Sequence, residues 1–412
     1  MDQPGWENAW FSLQNGRIVD RGAGRPPGPY IDLGDIALLP GLINPHTHLE
    51  FSQLTEPLGQ PGTPFPSWIG EVIRWRRSLT DDPQIAEAIK SNAIAAGLRE
   101  SYQNGVCLVG EIASPQWAPW QYVHSLPDVR LFHEFLGLTS DRSQIAWKQL
   151  EASGYVKLSE ASSDPGGLLG GISPHAPYTV GLADVEKLAQ LAARHQTPLA
   201  MHLAESPEEM AMLYQGSGPF VEMLESVGAW DSSALGSTPS VLSYLKALLS
   251  DAVPQVLIVH GNYLSESDIQ WLSHYRDRVT VVYCPRTHAF FQHSAYPLRQ
   301  LIASGISVSL GTDSRASNPD LSPWREAQWV AQHFPDFSGQ QIMKMVTRNG
   351  ARALMPERRV GDLAVGSAWT AIGIKIQGST ISASDPLRCL LEDQSLHPFP
   401  VWPQNVMKRL AT

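Results

Sequence analysis

Eight short apolar segments recur along the chain, and longer stretches of mixed polarity separate most of them. None exceeds eight residues, and most end at a polar residue, Gly or Pro. Continuous apolar runs of this length are typical of strands that are covered on both faces, as in a parallel sheet. The segments are Leu42–His46, Gly105–Glu111, Val129–Leu136, Leu168–Ser173, Pro198–His202, Gln255–His260, Val279–Cys284 and Ile306–Gly311.

Three of the intervening stretches have the signatures of helices. Residues 82–103 predict a helix with an apolar face of Ile85, Ala88, Ile89, Ala93 and Ala96. Residues 181–195 predict a helix with an apolar face of Leu182, Val185, Leu188, Leu191 and Ala192. Ser338 and Gln341 have the spacing of a capping box, which predicts that a helix begins there. Strand and helix alternating eight times indicate an α/β fold, either a (β/α)8 TIM-type barrel or an open doubly wound sheet, and the count favours the barrel.

The two ends of the chain do not follow this alternation. Residues 1–40 contain short polar and apolar alternations broken by a Gly/Pro-rich stretch. Residues 357–412 resemble short antiparallel strands, Trp369–Ile376 and Thr380–Ser382, followed by a Pro-rich tail. We therefore predict one small β-structured domain, made of residues 1–44 and 357–412, beside a barrel of residues 45–356.

Composition and charge narrow the range of functions. Hydrophobic residues make up 43% and charged residues 17% of the 412 residues, as in an ordinary globular protein. The net charge of −10 argues against a nucleic-acid partner, because a phosphate backbone requires a basic surface. We expect neither a secretory signal nor a membrane span, since no suitable apolar run occurs. The three cysteines are too few and too scattered for a disulfide framework, which predicts a cytoplasmic protein.

Ionisable side chains stand at or just after the ends of four predicted strands. His46 ends the first strand and His48 lies two residues further on, a spacing that places two side chains on one face. His202 and His260 end the fifth and sixth segments, and Asp313 follows the eighth. Any one of these histidines could be a core or capping residue, but the carboxyl ends of barrel strands converge on one mouth. Imidazoles with a carboxylate suit zinc or iron, so the set predicts a site for a divalent metal ion.

These motifs resemble those of the amidohydrolase superfamily, in its cytosine-deaminase-like branch. The similarity covers nearly the whole chain and rests on PGLINPHTH at residues 40–48, His202-x-x-Glu205, His260 and Asp313. The resemblance implies that the terminal β domain is a sandwich. It also implies that the metal ligands are His46, His48, His202 and Asp313.

The fourth predicted strand distinguishes one metal ion from two. Dinuclear members of the superfamily carry a metal-bridging carbamylated lysine at the end of this strand. Residues 167–175 contain no lysine, so we expect a single ion, with zinc favoured and iron as the alternative. His175 matches a histidine that contacts substrate in related deaminases.

The reaction implied by the resemblance is hydrolytic deamination. A divalent ion lowers the pKa of a bound water from about 16 to about 7, which supplies hydroxide to attack the amine-bearing ring carbon with release of ammonia. Glu205, three residues after His202, is expected to move a proton from that water to a ring nitrogen of the substrate. His260 is expected to hydrogen-bond the hydroxide, and Asp313 to relay the second proton to the departing amine. A solvated surface position is the alternative for Glu205.

The substrate is indicated less directly than the reaction. Residues 65–77 and 204–209 look like the aminofutalosine deaminases, which act on an adenine-type ring with a modified ribose. Similar elements occur in deaminases of adenosine, guanine and S-adenosylhomocysteine. Trp68 has the chemistry to stack on a heterocycle, although helix packing explains it equally well. Residues 283–288 read YCPRTH, where relatives usually have His-Cys-Pro-x-Ser-Asn. Within this segment, Arg286 and His288 are predicted either to contact a substituent of the substrate or to reshape the pocket.

Two other readings stay open at this point. One is a triazine chlorohydrolase, because the same attack on a ring carbon can expel chloride. The other is a small-molecule-binding relative without turnover, which the presence of Glu205 and Asp313 disfavours. The sequence predicts a small-molecule ligand in each case and leaves open whether two chains form a homodimer.

Overall fold

The computed structural model describes residues 7–114, 127–153, 168–376 and 384–401. Within these ranges, eight parallel strands form one sheet in chain order, and two small antiparallel sheets flank it. The strands are β1 (Ala9–Gln14), β2 (Arg17–Ala23), β3 (Ile36–Pro40), β4 (Leu42–Thr47), β5 (Val106–Ala113), β6 (Asp128–Phe135), β7 (Leu168–Pro174), β8 (Leu199–Leu203), β9 (Val256–His260), β10 (Val279–Tyr283), β11 (Ser307–Leu310), β12 (Ala371–Lys375) and β13 (Phe399–Val401).

The parallel sheet runs from β4 to β11 and closes between these two strands. Thr47 and Asp313 form a parallel bridge, and the backbone N–H of Asp313 donates to the carbonyl of His46 at 3.1 Å. The Asn44 side chain donates to Thr312 Oγ1 at 2.8 Å and accepts from the Thr312 backbone N–H at 3.1 Å. All eight predicted strands and the TIM-type barrel are therefore confirmed.

Alternation along the strands separates two cores. A cluster of buried apolar side chains, one or two from each strand of β4–β10, fills the barrel interior: Ile43, Leu108, Ile112, Phe132, Leu169, Ala200, Leu257, Val259 and Val282. Residues of the opposite phase, such as Val256 and Ile258 of β9, pack outward in the larger core shared with the helices. The side chains that point into the barrel beyond this cluster, nearer the carboxyl ends of the strands, therefore face the barrel mouth.

The helices of the described residues cover the outside of the barrel. They are α1 (Phe65–Leu79), α2 (Pro83–Gln103), α3 (Ser140–Ala152), α4 (Leu182–Arg194), α5 (Pro207–Gln215), α6 (Pro219–Ser226), α7 (Val241–Leu248), α8 (Glu266–Leu272), α9 (Pro285–Phe290), α10 (Leu298–Ala303), α11 (Pro323–His333), α12 (Gly339–Met345), α13 (Arg348–Leu354) and α14 (Pro386–Glu392). The three predicted helices correspond to α2, α4 and α12, and the capping box of Ser338 and Gln341 is present.

The predicted apolar face of α2 is wrong in its first half. Ile85 is 51% exposed and Ala88 is exposed, because the first turns of α2 extend beyond the barrel. Only the second half of the helix packs against the barrel, through Ala93, Ile94, Gly97, Leu98 and Ser101. On α4 the buried face includes the predicted Val185, Leu188 and Ala192, whereas Leu182 and Leu191 are half-buried.

The two ends of the chain do come together in β structure. Strand β3 from the N-terminal part pairs antiparallel with β12, which pairs with β13. Ile18, Trp369 and Val401 pack together in one small core drawn from both ends. The division of the chain at residues 44/45 and 356/357 stays a prediction, and β4 spans the first of these boundaries. The predicted strand Thr380–Ser382 lies outside the described residues.

One part of the C-terminal segment departs from the prediction of strands followed by a tail. Residues 386–392 form α14, whose Leu390 and Leu391 join the outer core of the barrel. Arg388 donates to the carbonyls of Phe337 and Ala331, which ties α14 to α11 and to the segment that follows it. Asp385 is the N-cap residue of α14. This residue could have indicated in the sequence that a helix begins there, but the prolines around it favoured the prediction of an irregular tail. No helix in the described ranges has the length and apolarity needed to cross a bilayer.

The seam between β4 and β11 gives a test of barrel closure. Asn44 is fully buried, and Asn44→Ala removes two hydrogen bonds and leaves the N–H of Thr312 unpaired. We expect the free energy of unfolding to fall by about 1–3 kcal/mol, measured by urea denaturation. The exposed Gln144→Ala should change it by less than about 0.5 kcal/mol. Equal stability of Asn44→Ala and the unsubstituted protein would show that this seam does not hold the barrel closed.

Candidate active site

The barrel mouth brings the four predicted metal ligands together. His48 Nε2 lies 3.3 Å from His202 Nε2, although 154 residues separate them in the sequence. Asp313 Oδ1 lies 3.5 Å from His46 Nε2 and 3.7 Å from His48 Nε2. Nitrogen and oxygen ligands held about 2.1 Å from a tetrahedral zinc ion are separated by about 3.4 Å. The spacing of these atoms therefore fits a single ion of that size.

The hydrogen bonds of the imidazoles also fit a metal site. His46 is fully buried, and neither of its ring nitrogens has a hydrogen-bond partner among the described residues. His202 Nδ1 lies 2.9 Å from the carbonyl oxygen of His175, so Nδ1 carries the proton and Nε2 presents its lone pair. A backbone carbonyl commonly orients a metal-binding histidine in this way. Unpaired buried nitrogens are costly, and a bound cation would satisfy them.

The electrostatics keep these imidazoles neutral, the form that binds a metal. Burial lowers the pKa of His46 well below its ordinary value, and the neighbouring His202 lowers it further. Burial also lowers the pKa of His48 and of His202, against the opposing effect of Asp313. Ser317 Oγ donates to Asp313 Oδ2 at 2.8 Å, which orients the carboxylate so that Oδ1 faces the imidazoles.

Glu205 and His260 form a second pair beside the histidines. His260 Nε2 lies 3.2 Å from Glu205 Oε1, and both side chains are buried. The nitrogens of His260, His202 and His46 also lie close enough together for all three to approach one ion. Burial raises the pKa of Glu205 well above its ordinary value, and the charges of Asp313 and Glu209 raise it further. The Glu205 carboxylate therefore binds a proton more readily than an ordinary glutamate, and it lies next to the candidate metal ligands.

Left-handed backbone conformations redirect the side chains at these strand ends. Strict alternation would place Glu205 and His260 outward, with Leu203 and Ile258. Ala204 has φ of 55°, His260 has φ of 67° and Asp313 has φ of 59°. Such angles are strained for residues other than glycine, and they occur preferentially at functional sites. The strain turns the chain at the mouth so that Glu205 and His260 face inward.

Two buried carboxylates that the sequence analysis did not single out support this arrangement. Glu209 is fully buried and accepts from the backbone N–H groups of Ala204 and Glu205, at 2.9 and 2.8 Å. Glu111 accepts from Thr47 Oγ1 at 2.6 Å and from the backbone N–H of Leu49. Each carboxylate thus fixes the backbone beside a pair of functional residues. Glu209 ends the motif of residues 204–209, so its spacing from Glu205 was the signal available in the sequence.

A third carboxylate, Glu134, lies near the carboxyl end of β6, beside the strand that leads to His175. Its Oε1 is 3.7 Å from Nε2 of His175, and the His175 ring centre is 4.9 Å from that of His202. His175 is therefore next to the candidate metal ligands, as expected of a group that contacts a substrate. The sequence analysis missed Glu134, which ends a strand in the same way as His202 and His260.

The other three predicted substrate contacts differ in their surroundings. Trp68 stacks on Phe65 and donates its indole N–H to the carbonyl of Ala316 at 3.2 Å, in the loop after Asp313. His288 is buried, and its Nε2 has no hydrogen-bond partner in the described part of the chain. Contacts of Trp68 and His288 with substrate stay predictions.

Arg286 is held by carboxylates of the protein itself. Its guanidinium donates to both oxygens of Asp320, at 2.9 and 2.6 Å, and to Glu326 at 2.6 Å. These bonds engage the donors that a substrate would need. These bonds tie Arg286 to the scaffold of the loop after β11, and its contact with substrate stays a prediction.

Residues 53–70 lie across neighbouring loops of the mouth. The backbone N–H of Leu58 donates to the carbonyl of Ala316, and that of Gly62 donates to the carbonyl of Phe290. Phe65, at the start of α1, contacts the rings of Tyr178, Phe220 and Phe291. The segment therefore adds an aromatic border to a mouth whose floor carries the polar groups.

Comparisons with known proteins agree with this geometry. A 5-methylthioadenosine/S-adenosylhomocysteine deaminase of Moorella thermoacetica is 28% identical over 352 residues, which cover 84% of this chain and 74% of that protein. An aminodeoxyfutalosine deaminase of Deinococcus radiodurans is 27% identical over 346 residues, which cover 77% of this chain and 73% of that protein.

Solved structures show the same fold. The crystal structure of Helicobacter pylori aminofutalosine deaminase with methylthio-coformycin superimposes with a TM-score of 0.72 at 23% identity, covering 90% of this chain and 88% of that one. An adenosine deaminase of Xanthomonas campestris with bound zinc gives a TM-score of 0.69 at 20% identity, covering 94% and 82%. Residues 37–384 match the profile of the amidohydrolase family, so the predicted resemblance is confirmed. This chain belongs to the amidohydrolase family.

Proposed function

We propose that this protein is a metal-dependent deaminase that removes an amino group from a purine-like ring by hydrolysis. One observation carries the proposal: a buried pair of Glu205 and His260 lies directly beside four side chains spaced for one cation. That combination places a proton acceptor next to the point where a bound water would be activated. Its surroundings are buried, which strengthens each electrostatic interaction.

The proposed metal site holds one divalent ion, with zinc favoured. The ligands are His46, His48, His202 and Asp313, a nitrogen-rich set with one carboxylate that suits zinc. Strand β7, which would supply a bridging lysine for a second ion, contains none. When bound, such an ion would lower the pKa of a water molecule to about 7 and so make hydroxide available at neutral pH.

The protein's own residues handle protons and charge in this proposal. Glu205 accepts a proton at its carboxylate and returns it to a ring nitrogen of the substrate, a transfer that its raised pKa favours. His260, 3.2 Å from Glu205, hydrogen-bonds the attacking oxygen and stabilises the charge that develops there. Asp313 receives the second proton from the oxygen that has added to the ring carbon and passes it to the amine, which leaves as ammonia when the carbon–nitrogen bond breaks. His175 orients the ring from the other side.

The relatives' names support an adenine-type ring as the substrate. The Moorella thermoacetica relative is a deaminase of 5-methylthioadenosine and S-adenosylhomocysteine, and the Deinococcus radiodurans relative is a deaminase of aminodeoxyfutalosine. The aromatic border formed by α1 and its neighbours suits a flat heterocycle, because such rings stack on aromatic side chains. An aminofutalosine-type nucleoside is our best proposal within this class.

Ammonia release from a panel of substrates tests the proposed function. Zinc-loaded protein is assayed with amino-purine nucleosides that include 5′-methylthioadenosine, with free amino-purines, and with aminated or chlorinated triazines. We expect at least one of the nucleosides to release ammonia. Chloride release without ammonia would instead identify a chlorohydrolase. No turnover of any compound by fully loaded protein would identify a binding protein.

Glu205→Gln tests the proton transfer. The amide keeps the size of the side chain but cannot accept a proton, so kcat should fall by at least about a hundredfold. Metal content, measured by elemental analysis, should stay at one ion per chain, because Glu205 is not among the proposed ligands. Retained activity in the metal-loaded variant would exclude this carboxylate as the proton shuttle.

Glu209→Gln tests the positioning of Glu205. An amide cannot accept from both backbone N–H groups, so kcat/KM should fall about tenfold or more. The negative charge of Glu209 contributes to the raised pKa of Glu205, so the acidic limb of the pH profile should also move to lower pH. Glu208→Gln, on the same helix, is the matched control and should leave activity and the limb nearly unchanged. A limb that stays in place in Glu209→Gln would contradict the proposed role.

A further inference from the structure

Glu134 belongs to the inner face of the barrel. Side chains alternate along β6, and Phe132 lies in the inner cluster whereas Leu131 and Phe135 lie in the outer core. Glu134 therefore shares the face of Phe132, one step closer to the carboxyl end of the strand. The Phe132 ring packs over Gly171 of the neighbouring strand β7. The Glu134 carboxylate thus stands above this layer, at the floor of the mouth.

The Glu134 carboxylate is buried and makes no hydrogen bond to the residues that the structure describes. The side chain is 7% exposed, and its sole polar contact within the described residues is the 3.7 Å approach of His175 Nε2. Burial raises the pKa of Glu134 to about 7, with smaller opposing effects from Arg76 and Lys90. A buried carboxylate normally has partners, because leaving it unpaired costs free energy. No group of the described residues meets this need, so we expect a bound ligand to supply the partner.

The nearest cations of the mouth are engaged elsewhere. Arg76 donates to Glu50 at 2.5 Å. Lys90 donates to the hydroxyl of Ser114, at the end of β5. Their charges reach Glu134 only through space, so the carboxylate remains free to receive hydrogen bonds.

The neighbours of Glu134 are acceptors of hydrogen bonds as well. The Thr179 hydroxyl donates to the carbonyl of Ala176, so it accepts from Nδ1–H of His175 at 2.7 Å, and His175 Nε2 carries a lone pair. Ser173 pairs in register with Glu134, and its buried hydroxyl has no partner among the residues that the structure describes. Among the described residues, this wall of the mouth therefore offers Glu134 no donor that is fixed in position, and it suits a ligand rich in O–H groups.

We propose that Glu134 binds the sugar hydroxyls of a nucleoside substrate, and that it is a specificity-determining residue of this enzyme. The proposal rests on the deaminase function proposed above. The two carboxylate oxygens can accept from two neighbouring hydroxyls, and an acidic side chain recognises the ribose hydroxyl in dinucleotide-binding proteins in the same way. His175 lies between Glu134 and the candidate metal ligands, so the heterocycle and its sugar extend in that direction across the mouth.

The test compares nucleosides that differ only in a hydroxyl. The best nucleoside substrate of the panel is assayed beside its 2′-deoxy and 3′-deoxy counterparts, with zinc-loaded protein and with Glu134→Ala. Hydrogen bonds to a charged group correspond to about ten- to hundredfold in kcat/KM. We expect the unsubstituted protein to prefer the ribonucleoside by that factor over at least one deoxy compound. Glu134→Ala should lose the preference, because without the carboxylate neither hydroxyl is recognised.

Two further variants guard against a merely structural effect. Glu134→Gln keeps the size of the side chain and should show an intermediate preference, because one of its two terminal atoms can still accept. His133→Gln changes the adjacent residue, which is buried on the opposite face of β6, and should retain the full preference.

An unchanged preference in both Glu134 variants would overturn the proposal. Deamination of free bases or triazines without any nucleoside turnover would overturn it too, while leaving the deaminase intact, whereas no ammonia from any compound would refute the proposed function itself.

Discussion

The contact between the first and last strands of the barrel is the constraint on which the site depends. The backbone N–H of Asp313 donates to the carbonyl of His46, so the bond that closes the sheet also fixes two candidate ligands 3.5 Å apart. Asn44 and Thr312 reinforce this seam directly beneath. A chain that failed to close here would lose the barrel and the metal site together.

Burial is what gives these side chains their chemistry. Desolvation keeps the imidazoles in the neutral form that binds a cation, and it raises the pKa of Glu205 well above the ordinary value of a carboxyl group. The same desolvation makes unpaired groups such as Glu134 costly. Strained backbone at Ala204, His260 and Asp313 adds to that cost. The folded barrel offsets these costs through its two large apolar cores.

Much of this could be predicted from the sequence because the strands are continuous apolar runs with functional residues at their ends. The two-residue repeat of side chains along a strand also predicts correctly that His46 and His48 lie close to each other. It does not predict that left-handed residues turn Glu205 and His260 inward, since such conformations depend on the tertiary structure. The alternation of side chains along β6 places either Glu134 or His133 at the mouth. The sequence alone does not say which of the two faces of β6 points into the barrel. The partners of Arg286 lie 34 and 40 residues away, beyond any local pattern.

Anomalous X-ray diffraction at the zinc absorption edge, on crystals of zinc-loaded protein, tests the central claim most directly. We expect one strong peak per chain, about 2.0–2.2 Å from the ligand atoms of His46, His48, His202 and Asp313. Two peaks at the barrel mouth, or a single peak bound by other side chains, would contradict the account.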